Sequence, residues 1–263
     1  MAKIETADVV GTLSPIWTAK PETANRVRQR IEAVLDYASA LGIRTGDNPA
    51  RWRGHLDHLL PKPTRVRAIK HHPALPHAEI ADLMAQLAMR EGVAARALAF
   101  TVLTAARSGE TRGMTWAEVD LDAKIWTIPA ERMKAGKEHR VPLTDAAIAL
   151  LGARGDDKVL VFASETKAGK PISDMSMTAV LRRMKRDGIT VHGFRSTFRD
   201  WAGETTGFPR EVIEAALAHG IKDKAEAAYA RSDLFEKRRK LMEAWAFASK
   251  HTKTDKNVLS ISG

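Results

Sequence analysis

Apolar residues recur at helical spacing along the first part of the chain. Over 21–42 they fall three and four positions apart, in a segment that opens with a proline and closes with a glycine. Proline suits a first helical turn and glycine a helix end, so this spacing predicts one helix. Shorter helices are predicted over 6–13 and 50–60. Three short helices indicate a small helical domain over residues 1–60, which we expect to be a partial domain.

The segment 61–77 interrupts this pattern and is predicted to be a linker. Its four prolines block regular structure, and residues 62–70 carry four positive charges and no acid. A basic, extended strap between two domains can follow a phosphate backbone. A solvated linker without a binding role explains the same composition, and both interpretations stay open at this point.

Beyond the linker, helical spacing returns around one region rich in β-branched and aromatic residues. The predicted fold is mainly α with a small antiparallel β-sheet (α+β), in one large domain over 78–250 followed by a flexible tail over 251–263. The predicted strands are 116–121, 125–128, 139–143 and 159–162. The predicted helices are 78–91, 93–106, 144–153, 173–187, 192–205, 209–218, 222–230 and 233–249.

Composition and charge indicate what kind of molecule the chain binds and exclude several kinds of site. The chain of 263 residues has a net charge of +10 and a pI near 9.9, and half of that net charge lies in residues 1–72. A strong positive balance favours a polyanionic partner. The chain has no cysteine, which excludes disulfides, thiolate zinc sites and a cysteine nucleophile. No apolar run approaches the ~18 residues of a membrane span and no secretion signal is present, so we expect a cytoplasmic location and no membrane partner.

Two arginines carry the first candidate chemistry, which is phosphate binding. Arg107 follows the apolar helix and opens a Ser-Gly turn, where Glu110 is placed to orient it by a salt bridge. His192 and Arg195 begin a predicted helix and share one side of its first turn, where backbone amides favour an anion. The ordinary alternatives are a surface cap for each arginine and a capping role for the histidine.

A histidine and a tyrosine further along complete this group. His219 ends an apolar helix before a glycine, and Tyr229 lies among small residues that leave room for a duplex to approach. A phenol can attack a phosphodiester that the arginines and histidines hold. A helix C-terminal cap for His219 and a core position for Tyr229 are the alternatives.

Taken in order, these motifs resemble those of the tyrosine recombinases, and in particular prophage integrases of the satellite-phage kind. The resemblance is nearly continuous over residues 76–249. The matching motifs are Thr104-Ala-Ala-Arg107-Ser-Gly-Glu110 (first arginine), the β-hairpin 128–143 with Lys134 (catalytic lysine), His192-Gly-Phe-Arg195 (His-x-x-Arg box), Leu217-Ala-His219 (second histidine) and Ala228-Tyr229-Ala-Arg-Ser-Asp233 (nucleophile).

The resemblance implies a mechanism of DNA cutting and rejoining. Tyr229 would attack the scissile phosphate and form a 3′-phosphotyrosyl bond, with His192 as general base and Lys134 as the acid that protonates the 5′-oxygen. The charge that grows on the phosphate would be stabilised by Arg107, Arg195 and His219, with Glu110 in support. The resemblance implies no metal and no cofactor, because arginines supply the positive charge and the phosphotyrosyl bond conserves the energy of the broken linkage.

The resemblance also implies double-stranded DNA as the partner. It further implies a homotetramer on DNA, a monomer without DNA, and accessory DNA-bending proteins. An apolar stripe in the last helix either packs on its own domain or docks on a neighbouring protomer, and the resemblance favours the second when DNA is bound. The expected DNA-binding residues in the basic first quarter are Arg26, Arg28, Arg30, Arg65, Arg67 and Lys70.

Three rival interpretations remain. A topoisomerase-like enzyme of type IB would use the same chemistry without strand exchange. An inactive DNA-binding remnant of an integrase would keep the fold without the reaction. A metallonuclease would need a ligand cluster, for which the candidates are weak because they lie in a proline-rich linker and a strand-turn. Those candidates are His71, His72, His77, Asp120 and Asp122.

Overall fold

The chain forms two compact units in its computed structural model. They comprise Met1–His71 and His72–Gly263. The structure describes residues 4–62, 73–219 and 233–251. The domain boundaries predicted from the sequence, with a separate linker between two domains, stay a prediction. No helix in the described part of the chain is long and apolar enough to cross a membrane.

The first unit is built on helix α1 (Thr6–Trp17) and helix α2 (Pro21–Ala40), which pack on each other. The helix predicted over 50–60 is wrong, because only the short 3-10 turn Leu56–His58 forms there. Gly54 adopts a φ of +69°, a left-handed conformation that interrupts a helix. The buried core of this unit consists of Val9, Leu13, Trp17, Ala24, Leu35, Ala50, Leu56 and Leu60.

Arg28 corrects one prediction about the first unit. Its side chain was expected on the DNA-facing surface, yet the residue is only 5% exposed. Its guanidinium donates hydrogen bonds to the Glu32 carboxylate at 2.5 Å and the Ala50 carbonyl at 2.9 Å, and it lies over the Trp52 ring at 5.7 Å. Arg28 therefore ties the segment after α2 to the helix and is not available to DNA.

The other two arginines of helix α2 that were predicted to bind DNA are exposed. Arg26 is exposed and pairs with Glu22 on the same helix at 2.6 Å. Arg30 is also exposed. The apolar stripe of α2 is only partly covered, because Leu35 is buried whereas Val34 is 48% exposed.

The second unit is mainly helical and contains one small sheet, which confirms the predicted fold class. Its strands are β1 (Val119–Asp120), β2 (Ile125–Ile128) and β3 (His139–Pro142). Its helices are α3 (Ile80–Ala88), α4 (Val93–Thr104), α5 (Ser108–Arg112), α6 (Asp145–Ile148), α7 (Ser176–Arg183), α8 (Gly193–Thr205), α9 (Arg210–Ala216) and α10 (Phe235–Ala248). Short 3-10 turns are His77–Glu79, Trp116–Glu118 and Ala130–Arg132.

The sheet is antiparallel throughout, in the order β1-β2-β3. Its longest pairing joins β2 to β3, with Trp126 opposite Val141 and Ile128 opposite His139. The strand predicted over 159–162 is wrong. That segment hydrogen-bonds to the irregular loop before β1 and makes only an isolated bridge there, so it does not extend the sheet.

Helix α4 forms within the predicted range 93–106 and is largely buried in the core of this unit. The C-terminal helix α10 packs against it in the same chain: the indole N–H of Trp245 donates to the Val102 carbonyl at 2.9 Å, and Trp245 is fully buried. Its ring lies 4.9 Å from the Trp201 ring of helix α8. In this structure the apolar stripe of the last helix therefore packs on its own domain. For the DNA-bound state the resemblance favoured the other alternative, docking on a neighbouring protomer. The predicted helix over 222–230 lies outside the described residues.

Candidate active site

The first predicted arginine lies in a tight turn between two helices. Helix α4 ends where Ala105 takes a left-handed φ of +49°, and Arg107 then precedes helix α5. The buried Glu110 carboxylate accepts from the Arg107 guanidinium at 2.6 Å and from the Arg107 backbone N–H at 2.8 Å. The predicted ion pair is present, and it holds a half-buried guanidinium in one orientation.

The second predicted arginine, Arg195, joins the ends of two other elements. It lies on the first turn of helix α8 and is only 6% exposed. Its guanidinium donates to the carbonyls of Ala105 and Leu217, the residues that immediately follow helices α4 and α9. A third N–H points at His219 Nε2 at 3.2 Å. One side chain thus brings three separate parts of the sequence to a single point.

The two arginines act on each other electrostatically. The pKa of Arg195 is lowered to about 10, first because of burial and second because of the positive charge of Arg107. The carboxylates of Glu110 and Glu214 oppose that shift. Arg195 remains protonated at neutral pH, so two positive charges face one region. An anion such as a phosphate would relieve this repulsion.

His219 is oriented by a residue that the sequence reading missed. Its Nδ1 lies 2.6 Å from the Glu214 carboxylate, five residues earlier. Because a guanidinium only donates, Nε2 accepts from Arg195 and the proton of the neutral ring is on Nδ1, where it donates to Glu214. Burial would raise the pKa of Glu214, but hydrogen bonds from His219 and Arg199 outweigh it and lower the pKa below its usual range. An acid one and a half turns before the histidine was the signal in the sequence.

Lys134 is exposed on the loop between strands β2 and β3. That loop is tied to the Arg107 turn by Arg132, whose guanidinium donates to the Glu110 carbonyl. Lys134 therefore follows by two residues a side chain that is bonded to the backbone of the first arginine motif. His192 is exposed immediately before helix α8, three residues from Arg195.

His139 is a second residue of this region that the sequence reading did not single out. It is half-buried at the start of strand β3. Its pKa is lowered from 6.5 to about 4, mainly by burial and then by the charge of Arg238, with smaller contributions from Arg195 and Arg107, while Glu110 opposes the shift. A neutral imidazole therefore lies within the electrostatic reach of both predicted arginines. No periodicity or motif spacing indicated this position.

Six residues singled out from the sequence lie outside the described part of the chain. They are Tyr229, Arg65, Arg67, Lys70 and the metal-ligand candidates His71 and His72. Both ends of the segment that contains Tyr229 are described, at His219 and at Asp233.

The downstream end of that segment is fixed by a cluster of charged groups. Arg140 of strand β3 donates twice to the Asp233 carboxylate, at 2.7 and 3.0 Å. The fully buried Arg238 donates to the same carboxylate at 2.9 Å and to the Asp233 carbonyl at 2.7 Å. Burial tends to raise the pKa of Asp233, but these arginines outweigh it and lower the pKa. The start of helix α10 is therefore bonded to strand β3.

Direct side-chain contacts thus join four of the predicted site residues in two pairs. Contacts join Arg107 to Glu110 and Arg195 to His219, and charge couples the two pairs. Lys134 is linked through its loop. Among the described residues, no group of three or more His, Cys, Asp or Glu side chains is arranged to hold a metal ion.

Comparison with known proteins places this arrangement in a family. Residues 73–234 match the model of the phage integrase family, and residues 1–55 match that of the phage integrase central domain. The chain is 34% identical to the prophage integrase IntA of Escherichia coli K12 over 231 residues, which cover 86% of this chain and 54% of that protein. It is 32% identical to the integrase of enterobacteria phage P4 over 250 residues, covering 87% of this chain and 55% of that protein.

A solved structure shares the fold. A lambda integrase tetramer bound to a Holliday junction superposes with a TM-score of 0.59 at 18% sequence identity, over 85% of this chain and 66% of that one. The chain spans about half the length of the two relatives named above. The match of its larger part to the family model shows that this chain belongs to the phage integrase family.

Proposed function

We propose that this chain is the catalytic part of a site-specific DNA recombinase of the tyrosine type, which cuts and rejoins DNA through a 3′-phosphotyrosyl intermediate. The observation that carries the proposal is that Arg195 contacts His219 and lies within the electrostatic reach of Arg107. Arg107 and Arg195 are each held by fixed partners, so a phosphate would meet two guanidinium groups that are already oriented.

In the proposed reaction the Tyr229 phenol attacks the scissile phosphorus. The phenolic oxygen forms the new P–O bond as the bond from phosphorus to the 5′-oxygen breaks. His192 accepts the phenol proton, and Lys134 gives a proton to the departing 5′-oxygen. The reverse sequence, with a different 5′-hydroxyl as nucleophile, rejoins the strands. No net oxidation or hydrolysis occurs.

The three cationic or polar donors stabilise the charge that grows on the non-bridging oxygens. The described residues take up three of the five Arg195 N–H groups, which leaves two for a phosphate. His219 can donate from Nε2 to a phosphate oxygen only when both ring nitrogens are protonated or the tautomer changes. The Glu214 carboxylate lies 2.6 Å from Nδ1 and orients the ring.

We also propose the partners that the family membership suggests. The partner is double-stranded DNA, and the assembly on DNA is a homotetramer, as in the lambda integrase tetramer on a Holliday junction. The free chain is a monomer, accessory DNA-bending proteins assist it, and it works in the cytoplasm. Arg26 and Arg30 in the first unit are exposed and remain candidates for phosphate contacts.

The test is capture of the covalent intermediate. The protein is incubated with a pool of nicked duplexes whose central sequence is randomised, so that a short fragment leaves after cleavage and the adduct accumulates. Adducts that survive detergent are isolated and their DNA is sequenced, which also identifies the preferred site. We expect adducts with the wild-type chain and none with Tyr229→Phe.

The matched control is Tyr37→Phe, because Tyr37 is the other tyrosine of the chain and is exposed on helix α2. An adduct that persists in Tyr229→Phe would refute the assignment of the nucleophile. Absence of any adduct with the wild-type chain would favour the inactive DNA-binding alternative. Relaxation of supercoiled plasmid without site preference would favour the topoisomerase-like alternative.

A further inference from the structure

We infer that Arg132 is a positioning residue for the leaving-group acid: it sets where Lys134 lies relative to the phosphate-binding arginines. The inference rests on the proposed function, because it concerns the proton that Lys134 gives to the 5′-oxygen. Arg132 lies in the short 3-10 turn that follows strand β2, and Lys134 follows two residues later. None of the motifs singled out in the sequence includes a role for this arginine.

The Arg132 guanidinium contacts two elements outside the loop that carries Lys134. One nitrogen donates to both carboxylate oxygens of Glu118, and another donates to the Glu110 carbonyl. The Glu110 side chain holds Arg107 at 2.6 Å. A bonded path therefore runs from the Arg107 guanidinium, through Glu110, to the residue that precedes the lysine loop.

The partners of Arg132 are themselves fixed. The Glu118 side chain is 9% exposed, and its carboxylate also accepts from the Trp126 indole N–H at 2.9 Å. The guanidinium also lies close to Gly113, where a Cβ would approach Arg132 Nη2 to 2.9 Å. A planar guanidinium that donates from one nitrogen to Glu118 and from another to Glu110 is held in one orientation, which a lysine could not reproduce.

The lysine loop has few other restraints. Met133 is buried and anchors the loop at its start, whereas residues 134–138 are all exposed. A general acid must reach the oxygen to which it gives a proton within hydrogen-bonding distance, so a displaced loop loses catalysis even when the fold is intact. Arg132 is the described side chain that connects this loop to the phosphate-binding turn.

A substrate with a modified leaving group separates positioning from general stabilisation. In a 5′-bridging phosphorothiolate duplex, sulfur replaces the 5′-oxygen at the cleavage point. A thiol is far more acidic than an alcohol (the cysteine thiol has a pKa of about 8.5), so a thiolate leaves without a proton donor, whereas the alcohol oxygen needs one. The duplex is one recovered in the adduct selection, made once with oxygen and once with sulfur.

We expect Arg132→Gln to slow cleavage of the oxygen duplex by roughly 10²-fold, the usual worth of a general acid, and to cleave the sulfur duplex at close to the wild-type rate. Lys134→Ala should show the same rescue. Gly113→Ala provides a milder test, because its methyl group displaces the guanidinium and keeps the charge. It should show a smaller loss with the same rescue by sulfur.

The control is Arg154→Gln. This substitution removes an exposed arginine that also donates to a main-chain carbonyl of the sheet, that of Val119, at 3.3 Å. It should leave the ratio of the two rates at the wild-type value. Equal losses on both substrates in Arg132→Gln and Gly113→Ala would overturn the inference and leave Arg132 a purely structural residue. A wild-type chain that forms no adduct would overturn the proposed function instead, and the inference with it.

Discussion

His139 provides a sharp prediction about stability and pH. Its pKa in the folded chain is about 4, against 6.5 as its ordinary value. As pH falls through 6.5, the unfolded chain takes up a proton at this position and the folded chain does not. The stabilisation from a neutral His139 is therefore complete above pH 6.5 and is lost progressively as pH falls towards 4.

The magnitude follows from the separation of the two pKa values. At 1.36 kcal/mol per unit of pH, the fall from 6.5 to about 4 corresponds to about 3 kcal/mol of unfolding free energy. The groups that face His139 explain the sign. Arg238 of helix α10, Arg195 of helix α8 and Arg107 all disfavour a further positive charge, and only Glu110 favours it.

The assay compares urea unfolding of the wild-type chain and His139→Gln at a series of pH values, followed by tryptophan fluorescence. Carboxylates such as Glu214 titrate in both proteins, so the difference between the two unfolding free energies isolates His139. We expect that difference to be constant above pH 7 and to shrink by about 3 kcal/mol towards pH 4. The same series on His58→Gln, which removes a histidine that is 77% exposed, gives the baseline.

A difference that stays constant from pH 7 to pH 4 would refute the reasoning. So would a ring that titrates near 6.5 in the folded chain by NMR. Either result would mean that the imidazole of His139 meets solvent or a carboxylate, and that the three arginines do not act on it as the geometry indicates.

Two further substitutions, each with a matched control, test the packing of one helix in each unit. Gly193→Ala should destabilise the second unit by about 3 kcal/mol in urea unfolding, because its Cβ would lie 2.2 Å from the Pro73 carbonyl oxygen; Gly203→Ala on the same helix, with no atom within 4 Å, should be neutral or slightly stabilising. Arg28→Ala should lower the unfolding free energy of the first unit by about 2 kcal/mol, since it strands a buried carbonyl and a carboxylate. Arg30→Ala should leave that stability unchanged within about 0.5 kcal/mol and reduce the salt dependence of DNA affinity instead; the opposite pattern would restore Arg28 as the DNA contact.

Local patterns were sufficient where the fold depends on neighbours in sequence. The largely apolar stretch that became helix α4 carries its own signal, as do the β-branched and aromatic residues of the region that became strands β2 and β3. The pairing of Glu110 with Arg107 was also predictable, because the two residues are three positions apart. Motif order added Lys134 and His192, which periodicity alone does not distinguish from surface residues.

Contacts between distant segments were not predictable in this way. Arg28 lies off the apolar stripe of its helix. It is buried because the later segment with Ala50 and Trp52 packs against its side chain. The environment of His139 is assembled from three other elements of the second unit. Glu214 acquires its role because helix α9 ends beside helix α8. There Arg195 donates hydrogen bonds to the Leu217 carbonyl and to His219. In each case the sequence specifies the residue but not its partner.

The position of Arg195 has a consequence for how inactive variants of this protein behave. The same guanidinium that would bind phosphate also caps two helices through the carbonyls of Ala105 and Leu217. Truncating it would leave two buried acceptors unsatisfied, at a cost of about 1–3 kcal/mol for each. Loss of chemistry and loss of folding are therefore inseparable at this position, and a chain disabled there is a poor catalytically dead mimic. A phenol-to-phenyl change at Tyr229 keeps every one of these helix caps.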